Sequence, residues 1–257
     1  MSTTHEPVHL PQWSATTILT LWAVVTAPMG VLAWVVVPRV IPMVDLHPGL
    51  VHWMAMVVGM MWQFVVSLVM LRREGAHTRA DIARRIRADR SSGVGLGRRL
   101  WGVALLGVLI NVVLGFAAGP LDTLWERATG VHAPWYTDIQ ALADPQFVGA
   151  WWIVGLALVS ALFNYVLGEE LFFRGLLLPR MAGAFGRWDA AANTVLFGLY
   201  HVHKFWMWPS MILSSFGIAW AAKKTRSFWA AVLVHGVEGV FVILVLAIVA
   251  GWWMPPA

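Results

Sequence analysis

Five stretches of this chain are each apolar over enough residues to cross a bilayer: Thr16 to Val37, Gly49 to Leu71, Leu100 to Gly119, Val148 to Met181 and Phe228 to Gly251. Hydrocarbon offers the backbone no hydrogen-bond partners, so a chain with such stretches folds as helices that bond within themselves. Two shorter apolar stretches, Ala190 to His203 and Pro209 to Ala222, are separated by Lys204 and the aromatic run Phe205 to Trp208. Read as two short helices, they bring the expected count to about seven. The predicted fold class is therefore all-α, a polytopic transmembrane helical bundle. A composition that is 59% hydrophobic and only 12% charged agrees with this and excludes an ordinary soluble core. Met1 to Trp13 shows neither a basic region before an apolar run nor a small-residue cleavage site, so no removable signal peptide is expected.

Loop charge sets the expected orientation. Arg72, Arg73, Arg79, Arg84, Arg85, Arg87, Arg90, Arg98 and Arg99 face only Glu74, Asp81 and Asp89 in the loop 72–99, which places that loop, and with it the N-terminus, in the cytoplasm. Arg180, Arg187, Lys223, Lys224 and Arg226 fall on the same side in a seven-span count. The loop from Pro120 to Phe147, with Asp122, Glu126, Asp138 and Asp144 against Arg127, falls outside. Ile82, Ile86 and the arginines around them could form a short amphipathic helix. Nucleic acid is not the expected partner of this loop: it carries no interleaved aromatics, and anionic headgroups account for the charge. Two regions are expected: 1–147, a tail and three accessory helices with the basic loop, and 148–257, a functional helical core. The expected location is an integral membrane protein of a bacterial inner membrane.

Ionisable residues inside such a helix are expensive and point to function. Glu169, Glu170 and Arg174 lie within Val148 to Met181. On an α-helix Glu170 and Arg174 are four apart and share a face, whereas Glu169 points about 100° away and is left without a local partner. Two other apolar stretches carry His201 and His235. At 1.5 Å per residue Glu169 stands about 16 Å above Arg180, His201 about 18 Å above Asp189, and His235 about 12 Å above Ser227, a common layer near mid-bilayer. His203 would lie about 200° around from His201 and nearer the outer edge, an interfacial position. The chain has no Cys, which removes thiolate chemistry and disulfides, and it has neither an HExxH pair nor a GxSxG elbow. Two His and a carboxylate nonetheless match a catalytic zinc set, so zinc enters as an optional cofactor on Glu169, His201 and His235.

Glu169-Glu170-Leu-Phe-Phe-Arg174, Phe197-Gly-Leu-Tyr-His201 and the later His235 resemble the motifs EExxxR, FxxxH and HxxxN of the CPBP family, the CAAX-protease and bacteriocin-processing (Abi) intramembrane proteases related to type II CAAX prenyl endopeptidase. The resemblance covers about Val148 to Gly251. It implies an intramembrane endopeptidase acting on a membrane-embedded or lipidated peptide. Glu169 and His201 would activate water, Glu170 and Arg174 would hold Glu169 in place, Phe197 would belong to the second motif, and His235 would stabilise the oxyanion. The third motif departs from the pattern: Gly239 stands where the family has Asn. A lost oxyanion donor costs on the order of 2.7 to 4 kcal/mol elsewhere. Glu238, three residues after His235, could orient that imidazole. Two other functions compete, a non-catalytic immunity or scaffold protein using the same cavity and an ion-coupled transporter; no inverted repeat supports the second.

Overall fold

The computed structural model describes residues 9–89 and 97–253. Arg90 of the basic loop lies outside the described residues, as do residues 1–8, on which most of the reading of Met1 to Trp13 falls. The helices in chain order are α1 (Ala15–Met43), α2 (Pro48–Arg73), α3 (Arg79–Arg85), α4 (Arg98–Thr129), α5 (Trp152–Arg180), α6 (Asp189–Tyr200), α7 (Trp208–Ser214), α8 (Phe216–Thr225) and α9 (Phe228–Val249). No strand occurs among the described residues. The long apolar windows are α1, α2, α4, α5 and α9, five helices of membrane-crossing length and hydropathy.

Some expected boundaries move. The third apolar helix runs through Pro120 to Thr129, so the loop expected from Pro120 begins only at Gly130, whose φ of 69° ends the helix in the left-handed region. The window Ala190 to His203 stops at Tyr200, and Pro209 to Ala222 is two helices that meet at Ser215. At 12 residues, α6 is about 18 Å long, short of a bilayer core. The amphipathic helix expected in the basic loop is α3. Its capping box joins the Thr78 side chain to the Asp81 amide and the Asp81 carboxylate to the Thr78 amide and hydroxyl. Those bonds, the hydroxyl's first, hold the Asp81 carboxyl below the usual carboxylate range.

The basic segments gather at one end of the bundle. Buried Arg180, at the end of α5, donates to Glu74 at the end of α2 (Nε to Oε1, 2.6 Å) and stacks on Trp13, 5.3 Å from the ring centre, just before α1. The Phe228 amide at the start of α9 donates to the Arg87 carbonyl, and Lys223 at the end of α8 pairs with Asp189 at the start of α6. The guanidinium of Arg87 is pushed down to about 10, chiefly by burial and then by Arg226 and Arg180.

At the centre lies α5, whose Phe172, Phe173, Leu176 and Leu177 are fully buried against α1, α2 and α6. In lipid this burial is driven by close packing rather than by escape from water. Small residues permit the tightest crossing, where Gly107 on α4 meets Gly217 and Ala221 on α8 and Asn111 accepts from the Gly217 amide (2.7 Å). Helix breaks are repaired by indoles. Pro28 has no N–H to give the Val24 carbonyl, and the Trp62 indole on α2 donates to that oxygen instead (3.0 Å).

Candidate active site

The middle of α5 is not a regular α-helix. Phe163–Leu167 and Leu171–Leu177 are π-helical turns, and Gly168 between them has φ −92° and ψ −85°. A Cβ at Gly168 would sit 2.6 Å from the Phe163 carbonyl and 3.0 Å from that of Met60 on α2. Only glycine lets the backbones approach so closely. The wide turns that follow deliver Glu169 and Glu170 to the bundle interior, 3% and 0% exposed.

Glu170 Oε1 accepts from Arg174 Nη1 at 2.8 Å, the pairing expected from their spacing, and it also receives His235 Nδ1 from α9 at 2.8 Å. Glu170 is therefore a bridge between helices, and His235, expected to face Glu169, has its Nδ1 on the neighbouring carboxylate. The other nitrogen of His235 points towards Glu238, 3.6 Å from its Oε2. Arg174 also lies over the Phe197 ring, 4.0 Å from its centre. The same ring makes edge contacts with His201 and His235, at 4.8 and 5.8 Å between centres, so Phe197 separates and orients the two imidazoles.

His201 is the residue at which α6 ends. Its Nδ1 lies 2.8 Å from the Phe197 carbonyl; since a carbonyl only accepts, Nδ1 carries the hydrogen. Nε2 of the neutral ring is then an acceptor, and it lies 3.8 Å from Glu169 Oε1. Glu169 Oε2 is buried and has no hydrogen-bond partner among the described residues. The last turn of the helix and the turn that follows it are held at this depth by indoles from other elements. Trp22 on α1 donates to Leu196 O (2.7 Å), Trp208 at the start of α7 to His201 O (3.2 Å), Trp34 on α1 to Val202 O (2.8 Å) and Trp125 on α4 to Phe205 O (2.8 Å).

These groups line a cavity of about 570 Å³. Glu169, His201, His235, Phe197 and Glu238 all reach it, and Met29, Met56, Met60, Met207 and Met211 form adaptable apolar wall. Glu170 and Arg174 stand behind the wall. Tyr136, Thr137 and Asp138, from the segment between α4 and α5, lie across the cavity end remote from the basic segments. Burial raises the Tyr136 phenol above its ordinary range, and burial lowers the nearby His47 imidazole against the opposing pull of Asp144.

Two cavity residues depart from the sequence reading. His203, expected at an interface, is 6% exposed and lines the same cavity, its ring 5.4 Å from that of His201. The angular estimate assumed a helix continuing to His203, whereas the chain turns at His201. His52 on α2 was not anticipated at all, although an imidazole within an apolar window is the same kind of signal that singled out His201. Tyr165 also escaped notice; its ring stands 5.0 Å from that of His235. Gly239 faces this tyrosine, with 3.8 Å between the position of an added Cβ and Tyr165 Cε2.

The zinc set read from the sequence does not fit this arrangement. Among the described residues no three His, Asp or Glu side chains converge as metal ligands, and His235 Nδ1 is already engaged by Glu170. No chemical step below passes through a metal.

The described helices thus enclose a carboxylate, Glu169, and an imidazole, His201, together in one buried cavity. Residues 148–241 match the family model for type II CAAX prenyl endopeptidase Rce1-like proteins, the family that the three motifs resemble. The match supports a CAAX-type intramembrane protease and a membrane-associated substrate. No curated protein and no solved structure matched the chain.

Proposed function

We propose that this protein is an endopeptidase that hydrolyses peptide bonds of a membrane-associated peptide, with water activated between Glu169 and His201. The observation that carries this reading is the pair of acceptors, Glu169 Oε1 and His201 Nε2, 3.8 Å apart on a buried cavity, with the second carboxylate oxygen unsatisfied. A water seated beside both, at about 2.8 Å from each, points one O–H at the carboxylate and the other at the imidazole. Its oxygen lone pair is left for the carbonyl carbon of the substrate. As the C–O bond forms, the water proton passes to Glu169. The carbonyl oxygen becomes an oxyanion and takes a hydrogen bond from His235. Collapse breaks the C–N bond, and Glu169 returns its proton to the leaving amine, which yields an amine and a carboxylic acid; the acid then ionises by giving the remaining water proton to the amine.

The supporting residues have distinct tasks in this scheme. Glu170 fixes the His235 ring through Nδ1, and with Glu238 on the other side both ring nitrogens face acceptors. That surrounding suits the imidazolium, which donates from both nitrogens. Arg174 neutralises Glu170, and Phe197 holds the two imidazoles apart.

Glu169→Ala and His201→Ala are each expected to abolish cleavage while expression and membrane insertion stay intact, and His235→Ala is expected to lower the rate. Peptides that accumulate both in a deletion strain and in a Glu169→Ala strain identify the substrate. Cleavage unchanged in the first two variants refutes the mechanism. A phenotype retained by Glu169→Gln would favour the non-catalytic reading, since shape survives while the base is lost.

The proposed topology has seven crossings, with α6 and the α7–α8 pair as short ones shielded by the bundle, and the basic end of the molecule in the cytoplasm of a bacterial inner membrane. The chain has no native Cys, so single cysteines introduced beside Arg84 and beside Tyr136 report sidedness without background. Membrane-impermeant labelling of intact cells is expected at the second position and not at the first.

A further inference from the structure

Beyond the water-activating pair, the same cavity holds a second polar group that the scheme above does not use. His52 on α2 and His203 on the turn after α6 face each other with ring centres 6.4 Å apart. They are 8% and 6% exposed, both line the cavity, and neither ring makes a hydrogen bond among the described residues; Nδ1 of each is fully buried without a partner. Lys204 follows His203 and lines the cavity beside it. Among the described residues no carboxylate pairs with this lysine. The nearby Asp138 already caps the turn that follows it, accepting from the Gln140 amide at 2.9 Å.

Buried polar groups are ordinarily satisfied, and two imidazoles left open beside a lysine are arranged for something that arrives. One full positive charge and two rings able to donate match a single negative charge with two acceptor oxygens. Carboxylates have that chemistry, and charge-assisted hydrogen bonds to them are strong in a dry site. The group is also held rigidly. The Lys204 amide donates to His201 O (2.9 Å), and the indoles of Trp34 and Trp125 hold the carbonyls of Val202 and Phe205. Ring spacings place His203 next to His201 and His52 beyond it, so an anion held here belongs to the same molecule whose bond lies at Glu169.

We propose that His52, His203 and Lys204 form an anion subsite that binds a carboxylate of the peptide, apart from the hydrolytic pair. The proposal rests on the protease reading for the identity of the ligand as a peptide. The phosphodiester of an anionic lipid is also a single negative charge with two acceptor oxygens, and the lipid arm of the test separates the two sources.

The test uses the full-length protein in zwitterionic nanodiscs and a short fluorescein-labelled Ala/Leu/Val peptide, made with a free C-terminal carboxylate or as the amide. Binding is read by anisotropy, independently of cleavage. The acid is expected to bind roughly tenfold or more tightly than the amide, the scale of a hydrogen bond to a charged group. In Lys204→Gln and in His203→Gln the two affinities converge to within about twofold, and Lys204→Arg, which keeps the charge, restores the preference. Lys204 is only partly buried on a turn, so its variants fold even where the histidine variant does not. Equal binding of acid and amide by the wild type, or a preference retained by Lys204→Gln, overturns the proposal. Loss of the preference when phosphatidylglycerol is added to the nanodisc assigns the subsite to a lipid headgroup and overturns the carboxylate assignment. Absence of Glu169-dependent cleavage, by contrast, refutes the protease reading alone.

Discussion

Glu170 and Arg174 form an ion pair whose side chains are both fully buried, yet the two partners are not equivalent. Glu170 Oε1 receives two donors, Arg174 Nη1 and His235 Nδ1, each at 2.8 Å. Arg174 has that one carboxylate and the face of Phe197, while its Nε and Nη2 have no hydrogen-bond partner among the described residues. Replacing Glu170 with Gln leaves a buried guanidinium with no anion, a change of about 3 to 5 kcal/mol. Replacing Arg174 with Met leaves Glu170 still bonded to His235. It forfeits a cation–π contact of about 2 kcal/mol, and removing two unsatisfied donors, at about 1 to 3 kcal/mol each, offsets that loss. Glu170→Gln is therefore expected to be the more destabilising by about 2 kcal/mol or more, on those same scales. The measurement is reversible unfolding in dodecyl maltoside with rising SDS fraction, followed by tryptophan fluorescence. Equal destabilisation, or a larger effect of Arg174→Met, refutes the view that Glu170 is the shared acceptor.

Gly168→Ala is expected to destabilise by about 1 to 3 kcal/mol, the usual range for overpacking, because the added methyl would meet backbone oxygens at 2.6 and 3.0 Å that cannot swing aside; the same unfolding assay measures it. At Gly239 an added Cβ meets nothing nearer than Tyr165 Cε2 at 3.8 Å, so Gly239→Asn is expected to fold, and a faster single-turnover rate is expected from the added donor. An unchanged rate would show that another group already holds the oxyanion. The lowered carboxyl of Asp81 makes the α3 cap pH-dependent: its stabilisation is complete above the ordinary carboxylate range and is lost as pH falls through the lowered folded value. Amide protection factors across Thr78–Ile86, taken relative to the intrinsic exchange rate at each pH, should fall in acid, and Asp81→Asn should remove most of that pH dependence.

Much of this architecture can be read from residue order because lipid enforces it. The five long windows become five long helices, and a spacing of four places Glu170 beside Arg174 even though the turn between them is π-helical. The depth estimate that grouped Glu169, His201 and His235 anticipates their common cavity, since rise per residue survives modest irregularity in a helix. What escapes a sequence reading is set by distant partners. Bonds from His201 to the Phe197 and Gly198 carbonyls close α6, but the turn beyond it is held by indoles from α1, α4 and α7. The turn that results brings His203 and Lys204 into the cavity with His52. The transfer of His235 to Glu170 is likewise invisible from spacing, because it depends on how α9 packs against the widened part of α5.

The indoles that brace the turn at His201 also set when the site can exist during biosynthesis. Trp34 and Val202 are 168 positions apart, Trp22 and Leu196 are 174, and Trp125 and Phe205 are 80. A ribosome-bound chain that has inserted only its early helices has the tryptophans but not the carbonyls they serve, and His235 is made later still. Contacts this remote in sequence form late, since closing such long loops comes before any return from the bonds. The geometry of the candidate site is thus a product of complete assembly. A partly inserted chain carries every helix of the N-terminal half, but the contact between Glu170 and His235 waits until the last helix docks.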